Sequence, residues 1–181
     1  MRSFVRIVPA LLLASAVAVP AAAQDTPPAR PEDVSSVDAI IAALYDVISG
    51  PAGEKRDWDR FHSLFVPGAR LIPTGMNQQG QARHRVMTPA DYANTSGAML
   101  EERGFFEQEI GRTMEQFGNI AHAFSAYESR RTREGEVFAR GINSIQLLFD
   151  GERWWVVSVF WDSERPGNGI PAKYLNAEPG R

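Results

Sequence analysis

Apolar positions recur along this chain with two different periods. Val37, Ile40, Ile41, Leu44, Tyr45 and Ile48 are spaced by threes and fours, the stripe of one helix face. Ser35, three residues before Asp38, is placed to cap that helix in a capping-box pattern with aspartate for glutamate. Gly50-Pro51 stops it. A shorter helix follows, capped by Asp57, with Trp58, Phe61, Leu64 and Phe65 on one face and Pro67-Gly68 at its end. Residues 69–73 read as a short strand, 75–81 as a polar loop, and 82–87 as a strand returning beside the first. Thr88-Pro89 begins a third helix with proline at its first position. That helix carries Tyr92, Ser96, Met99 and Leu100, and Gly104 ends it.

Beyond Gly104 the period shortens to two. Residues 105–117 read as a strand bulged at Gly111; 120–131 runs back after Gly118-Asn119, and 137–149 follows Glu134-Gly135. Asp150-Gly151 is a hairpin dipeptide leading into a last strand at 153–162. Strict alternation there puts Trp154, Val156 and Phe160, with Ser158, on one face and Trp155, Val157, Val159 and Trp161 on the other. Apolar side chains on both faces need cover on both. Helices supply one cover. The other is a second subunit, making a homodimer, or the chain's own residues 163–181. Helices gathered early and a meander gathered late predict an α+β fold with helices against one face of an antiparallel sheet.

The ends differ from the body. Arg2 and Arg6 precede an apolar run at 7–19, and Ala21 and Ala23 fit the small-residue rule, the pattern of a signal peptide (residues 1–23) cut between Ala23 and Gln24. The run is shorter than the ~20 residues of a membrane span. The expectation is a periplasmic or secreted protein with no membrane association after cleavage. Residues 24–34, with Pro27, Pro28 and Pro31, read as a flexible linker. Residues 35–165 form the domain, and 166–181 an irregular tail in which Ile170, Tyr174 and Leu175 are placed to dock on the body. None of the 181 residues is cysteine, which excludes disulfides, thiolate metal sites and a cysteine nucleophile. Two of the 19 basic residues leave with the signal peptide, so 17 face 22 acids. Such a mildly acidic chain is not built to bind nucleic acid.

Several local patterns occur together. Leu44-Tyr45 lies near the close of the first helix, and Asp57-Trp58-Asp59 opens a second that finishes in Leu64-Phe65. Pro67-Gly68-Ala69-Arg70-Leu71 leads into a strand, and Asp150-Gly151-Glu152-Arg153-Trp154-Trp155-Val156-Val157 makes the last hairpin. In order and spacing, residues 37–162 resemble the nuclear transport factor 2-like superfamily, which includes the SnoaL-like polyketide cyclases and ketosteroid isomerases. The chain departs from the pattern at Pro67-Gly68, where members often carry an acidic residue. The resemblance implies a cone: a strongly curved antiparallel β-sheet wrapped around the N-terminal helices, with a central pocket. It also implies a small apolar ligand in that pocket and a homodimer through the outer sheet face.

Candidate pocket residues follow from these elements. Trp58, Phe61 and Phe65 offer one wall, or else simply core; Trp154 adds another aromatic. His62, beside Phe61, is a candidate general base, since its ordinary pKa lies near neutrality, or a structural residue. On strand 120–131, Ala121, Ala123, Ser125 and Tyr127 form one set and His122, Phe124, Ala126 and Glu128 the other. The small alanines favour the first set facing inward, which brings Ser125 and Tyr127 to the pocket, Tyr127 as a second catalytic candidate. Asn143 shares a face with Ile145 and Leu147; Arg140, Ser144 and Gln146 share the other. Glu107 and Glu109, with Arg112 nearby, are a possible carboxylate pair but read more simply as a solvated edge. His62, His84 and His122 lie far apart, and there is no P-loop, dinucleotide fingerprint or G-x-S-x-G, so neither metal nor cofactor is expected. The chain then reads as a binder of a small apolar molecule. The alternatives are an isomerase, cyclase or dehydratase using a pocket acid or base, and an interaction protein acting through its surfaces.

Overall fold

The computed structural model describes residues 26–175. The expected signal peptide, its cleavage position and residues 176–181 lie outside the described residues. The elements are α1 (Pro31–Val34), α2 (Val37–Ile48), α3 (Trp58–Ser63), β1 (Phe65–Met76), β2 (Ala82–His84), α4 (Pro89–Arg103), β3 (Phe106–Phe117), β4 (Ile120–Arg130), β5 (Val137–Phe149) and β6 (Trp154–Ser163), with a short 3₁₀ turn at Ala172–Tyr174. Among the described residues no helix is long and apolar enough to cross a membrane.

Helix α2 is the axle of the fold. Its stripe is buried throughout, and Ala43 and Val47 are buried as well. A helix so apolar around its circumference belongs inside. It packs on β3 and β6 on one side and on α1 and α3 on the other. Ser36, one residue later than the expected Ser35, caps it by accepting from the Ala39 N–H at 3.0 Å. Residues 31–34, part of the segment read as linker, form a helical turn whose Asp33 is buried against Arg60 at 2.7 Å. Helix α4 starts as expected: Thr88 and Asp91 exchange capping bonds, with Pro89 at the first turn.

The six strands run in the order β2-β1-β6-β5-β4-β3, with β1 and β6 parallel and every other pair antiparallel. The sheet is curved and left open, and its concave side holds the helices. Extra residues interrupt the ladders at Ile110 in β3, Phe138 in β5 and Val157 in β6. Each such bulge bends its strand and adds twist.

The bulge at Val157 corrects the expected faces of the last strand. Beyond it the alternation reverses, so Trp154, Val156 and Val159 are buried on the inner face, and Phe160 turns outward, 48% exposed. Two boundaries also move. Helix α3 closes at Ser63, and Phe65 already belongs to β1, because Leu64 accepts from the Val156 N–H at 2.8 Å and ties the chain to β6. The tail docks on the outer side of β3 and β4, with the Tyr174 ring 5.1 Å from Phe124. It passes so close to Gly111 that a Cβ there would lie 2.2 Å from the Tyr174 carbonyl oxygen.

Candidate functional site

A cavity of about 260 Å³ lies between the helices and the concave sheet. Leu44 and Ile48 of α2, Phe61 of α3, Leu100 of α4, and Val159 and Trp161 of β6 make much of its wall. The aromatic rings stand in series: Phe61 lies 5.6 Å from Tyr92, and Tyr92 lies 6.3 Å from Trp161 in an edge-on arrangement. The bulge in β5 lets both Phe138 and Ala139 reach the cavity. Ionisable character is confined to Glu107 and the phenols of Tyr92 and Tyr127.

Glu107 sits on β3, the last strand of the sheet, yet it does not face open water. Helix α2 crosses over β3, and Ser49, just past the helix end, accepts from the Glu107 N–H at 3.0 Å. The carboxylate is therefore surrounded by protein on nearly every side, although part of the residue is accessible through the cavity. Ser129 donates to its Oε2 at 3.0 Å, and Asn143 donates to its Oε1 at 3.3 Å. Burial pushes its pKa up to about 7 against the opposing pull of those two donors. The expectation of a solvated edge fails at Glu107 because an edge strand is exposed only along its open side, whereas its inner face belongs to the concavity.

The donors form a line. Asn143 also donates to the Tyr45 hydroxyl oxygen at 3.1 Å. Tyr45 and Ser125 lie 2.7 Å apart, and the Ser125 hydroxyl donates to Glu109. A serine has one proton, so the Tyr45 proton points to Ser125. Burial, with the nearby Glu107 charge next, raises the Tyr45 pKa and keeps its phenol protonated. The line ends at Glu109, whose own pKa burial raises, with Arg112 at 3.6 Å and Asp38 beyond it, paired with Arg112. A second, more polar cleft of about 450 Å³ opens there, and Glu107 lines both spaces.

Of the residues expected in the pocket, Phe61, Tyr127 and Asn143 line the cavity. Tyr127 is buried, which pushes its pKa up to about 12, and its hydroxyl makes only a long contact of 3.4 Å with Ser163. Ser125 faces inward but is enclosed between Tyr45 and Glu109. Trp58 lies behind Phe61, its indole N–H on Glu101 at 3.0 Å. Phe65 and Trp154 belong to the packed core. His62 is not in the cavity wall; its Nε2 is buried without a hydrogen-bond partner among the described residues. Successive helical residues point about 100° apart, so Phe61 and His62 do not share a target. Tyr45 and Ser129 were missed, and Glu107 was discounted. Among the described residues no three His, Asp or Glu side chains are grouped to hold a metal ion.

No protein-family model matches the sequence, and no curated protein matches it. Solved structures do match in fold. A Nostoc punctiforme protein of unknown function with a cystatin-like fold superposes with a TM-score of 0.54 at 10% identity, over 71% of this chain and 88% of its own. An uncharacterised Caulobacter vibrioides protein with a cystatin-like fold gives 0.51 at 14% identity, over 74% and 90%. A nuclear transport factor 2-like superfamily protein from Salmonella enterica gives 0.49 at 16% identity, over 69% and 86%. At such identities the likeness to the first two is one of fold alone, and the curved, open α+β cone expected from the resemblance is the architecture observed.

Proposed function

We propose that this cone binds a small, largely apolar molecule in its central cavity. One observation carries the reading: an apolar, aromatic hollow of about 260 Å³ converges on a single hydrogen-bonded carboxyl group. Apolar walls supply binding energy without direction, and a few placed polar groups supply orientation. Tryptophan fluorescence tests it, because Trp161 stands in the wall. Small apolar compounds are expected to change the emission saturably, and Ala139→Phe, which fills the space, to abolish the change while the protein stays folded. A silent panel, or binding indifferent to Ala139→Phe, overturns the proposal.

Glu107 favours a second reading. A carboxyl group with a pKa of about 7 is suited to take and return a proton near neutrality. With the Tyr127 phenol in the same cavity wall, the cavity has the parts of an isomerase, cyclase or dehydratase site. Under this reading Glu107→Gln removes turnover and leaves ligand affinity nearly intact. The proposal also includes export with cleavage after Ala23, and a homodimer formed through the outer face of β6, where Trp155, Val157 and Phe160 present apolar surface.

A further inference from the structure

We infer that the ligand class of the central cavity is an apolar amine, bound as its ammonium ion between the Glu107 carboxylate and the aromatic walls. The inference rests on the cavity being a ligand site and adds the charge of its occupant. No arginine or lysine is among the cavity-lining residues, and Glu107 is the one acid there. An anionic ligand would meet a like charge with nothing to offset it. An ammonium ion meets the opposite.

The hydrogen-bond line sets the polarity of that meeting. Ser125 donates to Glu109, Tyr45 therefore to Ser125, and Asn143 to both Tyr45 and Glu107. Ser129 donates to the second oxygen of Glu107. Every hydrogen in the line points toward a carboxylate, so the protein presents Glu107 to the cavity as an acceptor. Each carboxylate oxygen accepts more than one bond, and Glu107 stands in the wall of the hollow with acceptor capacity to spare. What it lacks is a donor, best a charged one. Around it stand Phe61, Tyr92, Phe105, Phe138 and Trp161. Ring faces attract cations, most strongly where water is excluded. Arg112, the nearest cation on the line, is committed to Asp38 and Glu109 on the side of the outer cleft and does not neutralise Glu107.

The titratable groups facing Glu107 across the inner cavity are the phenols of Tyr45 on α2, Tyr92 on α4 and Tyr127 on β4, all held protonated by burial. On the side of the outer cleft, which Glu107 also lines, stand Arg112, paired with Asp38, Arg130, paired with Glu128, and Arg133, over the Phe106 ring. Glu109 lies along the same strand beside Arg112. Glu107 is thus the group that changes charge across neutral pH, and an ammonium ligand holds it ionised.

Calorimetric titration of the folded protein with 2-phenylethylamine, 2-phenylethanol and 3-phenylpropionate tests the inference, since the three differ chiefly in the charge of one end. The expected order at pH 8 is amine first by at least about 10-fold over the alcohol, with the carboxylate weakest. The preference for the amine shrinks to under about 3-fold in Glu107→Gln, whose fold is checked by circular dichroism. In the unaltered protein, amine affinity falls about 10-fold from pH 8 to pH 6 as Glu107 takes up its proton, while the alcohol barely changes. An alcohol that binds as tightly as the amine, a preference that survives Glu107→Gln, or an amine affinity flat with pH overturns the inference and leaves the cavity reading standing. Failure of all three compounds to bind overturns both.

Discussion

Replacing Glu107 with glutamine should change the pH dependence of stability in a direction opposite to the usual loss of a carboxylate. Burial raises this group from 4.5 to about 7. At about 1.4 kcal/mol for each tenfold change in proton affinity, that is about 3 kcal/mol between its protonated and ionised forms. Between pH 4.5 and 7 the folded protein keeps a proton that the unfolded chain has released. The folded state then binds more protons, and stability falls as pH rises through that window. The contribution is fully present below 4.5 and gone above about 7. Glutamine cannot ionise, so this slope disappears from the variant. Its amide meets Ser129 and Asn143, both of which donate to the native carboxylate, and one of those bonds is lost, at about 1 kcal/mol. The variant should therefore be about 1 kcal/mol less stable than the native chain at pH 4.5 and about 2 kcal/mol more stable at pH 8. Urea unfolding of both proteins at fixed ionic strength, in half-unit steps from pH 4.5 to 8, reads the difference directly. Other groups that titrate in this range, Glu109 among them, act in both chains and largely cancel. Parallel stability curves, offset by a constant amount, would show that Glu107 is not held in a low-dielectric site and would remove the basis of both its proposed roles.

Three further outcomes are expected. Gly97→Ala puts a Cβ 2.8 Å from the Trp58 ring; the crowding costs about 1–3 kcal/mol, more than the ~1 kcal/mol gained in helix propensity, so a melting temperature that stays level or rises contradicts it. Arg56, buried, donates to the carbonyls of Ile48, Gly50, Glu54 and Leu100; Arg56→Met orphans them and should cost about 3–5 kcal/mol in a urea titration, by the usual penalty for breaking a buried charged network. The chain from Gln24 onward should sediment as a dimer at micromolar concentration and Phe160→Glu as a monomer, whereas a native monomer rejects the outer-face interface.

The parts of the fold that depend on local pattern were legible. The α2 stripe, the Thr88-Pro89 start of α4 and the hairpin at Asp150-Gly151 each follow from a few neighbouring residues, and each stands where its spacing puts it. The bulge of β3, at Ile110, was readable to within one residue because the neighbouring Gly111 marks a place where another backbone comes close, here the tail. The bulge at Val157 left no such mark. It falls at the end of the apolar run 154–157, with no glycine or proline beside it, and one uncounted residue exchanges every later side chain between core and solvent. Phe160 and Val159 were misplaced for that reason alone.

The site was harder to read because it is assembled across the chain. Asn143 reaches Tyr45 across 98 positions and Glu107 across 36, so no spacing rule connects them. A weaker signal was nevertheless present. Ser125, Tyr127 and Ser129 occupy alternate positions of a strand whose other inward residues, Ala121 and Ala123, are small and apolar. Polar residues at successive inward positions are costly against an apolar helix unless each finds a partner. Their presence opposite the α2 stripe implies that something on the facing elements satisfies them, and the stripe contains one residue able to do so, Tyr45. The same reasoning points to the edge strand for the acceptor at the end of the line. There, two glutamates at alternate positions match the inward serines pairwise: Glu107 receives Ser129 and Glu109 receives Ser125. Cross-strand register provides the first match, because β3 pairs Glu107 with Ser129 directly; Glu109 stands opposite Tyr127 and reaches Ser125 diagonally, while the Ile110 bulge places Arg112, rather than Gly111, opposite Ser125. Without that bulge strict alternation would carry the β3 residues after Glu109 to the other face, and Arg112 would no longer lie beside Glu109 to close the line. With the bulge, Arg112, two positions beyond the inserted Ile110, is turned to Glu109 and Asp38, and Glu107 keeps the neutral donors Ser129 and Asn143 as its partners.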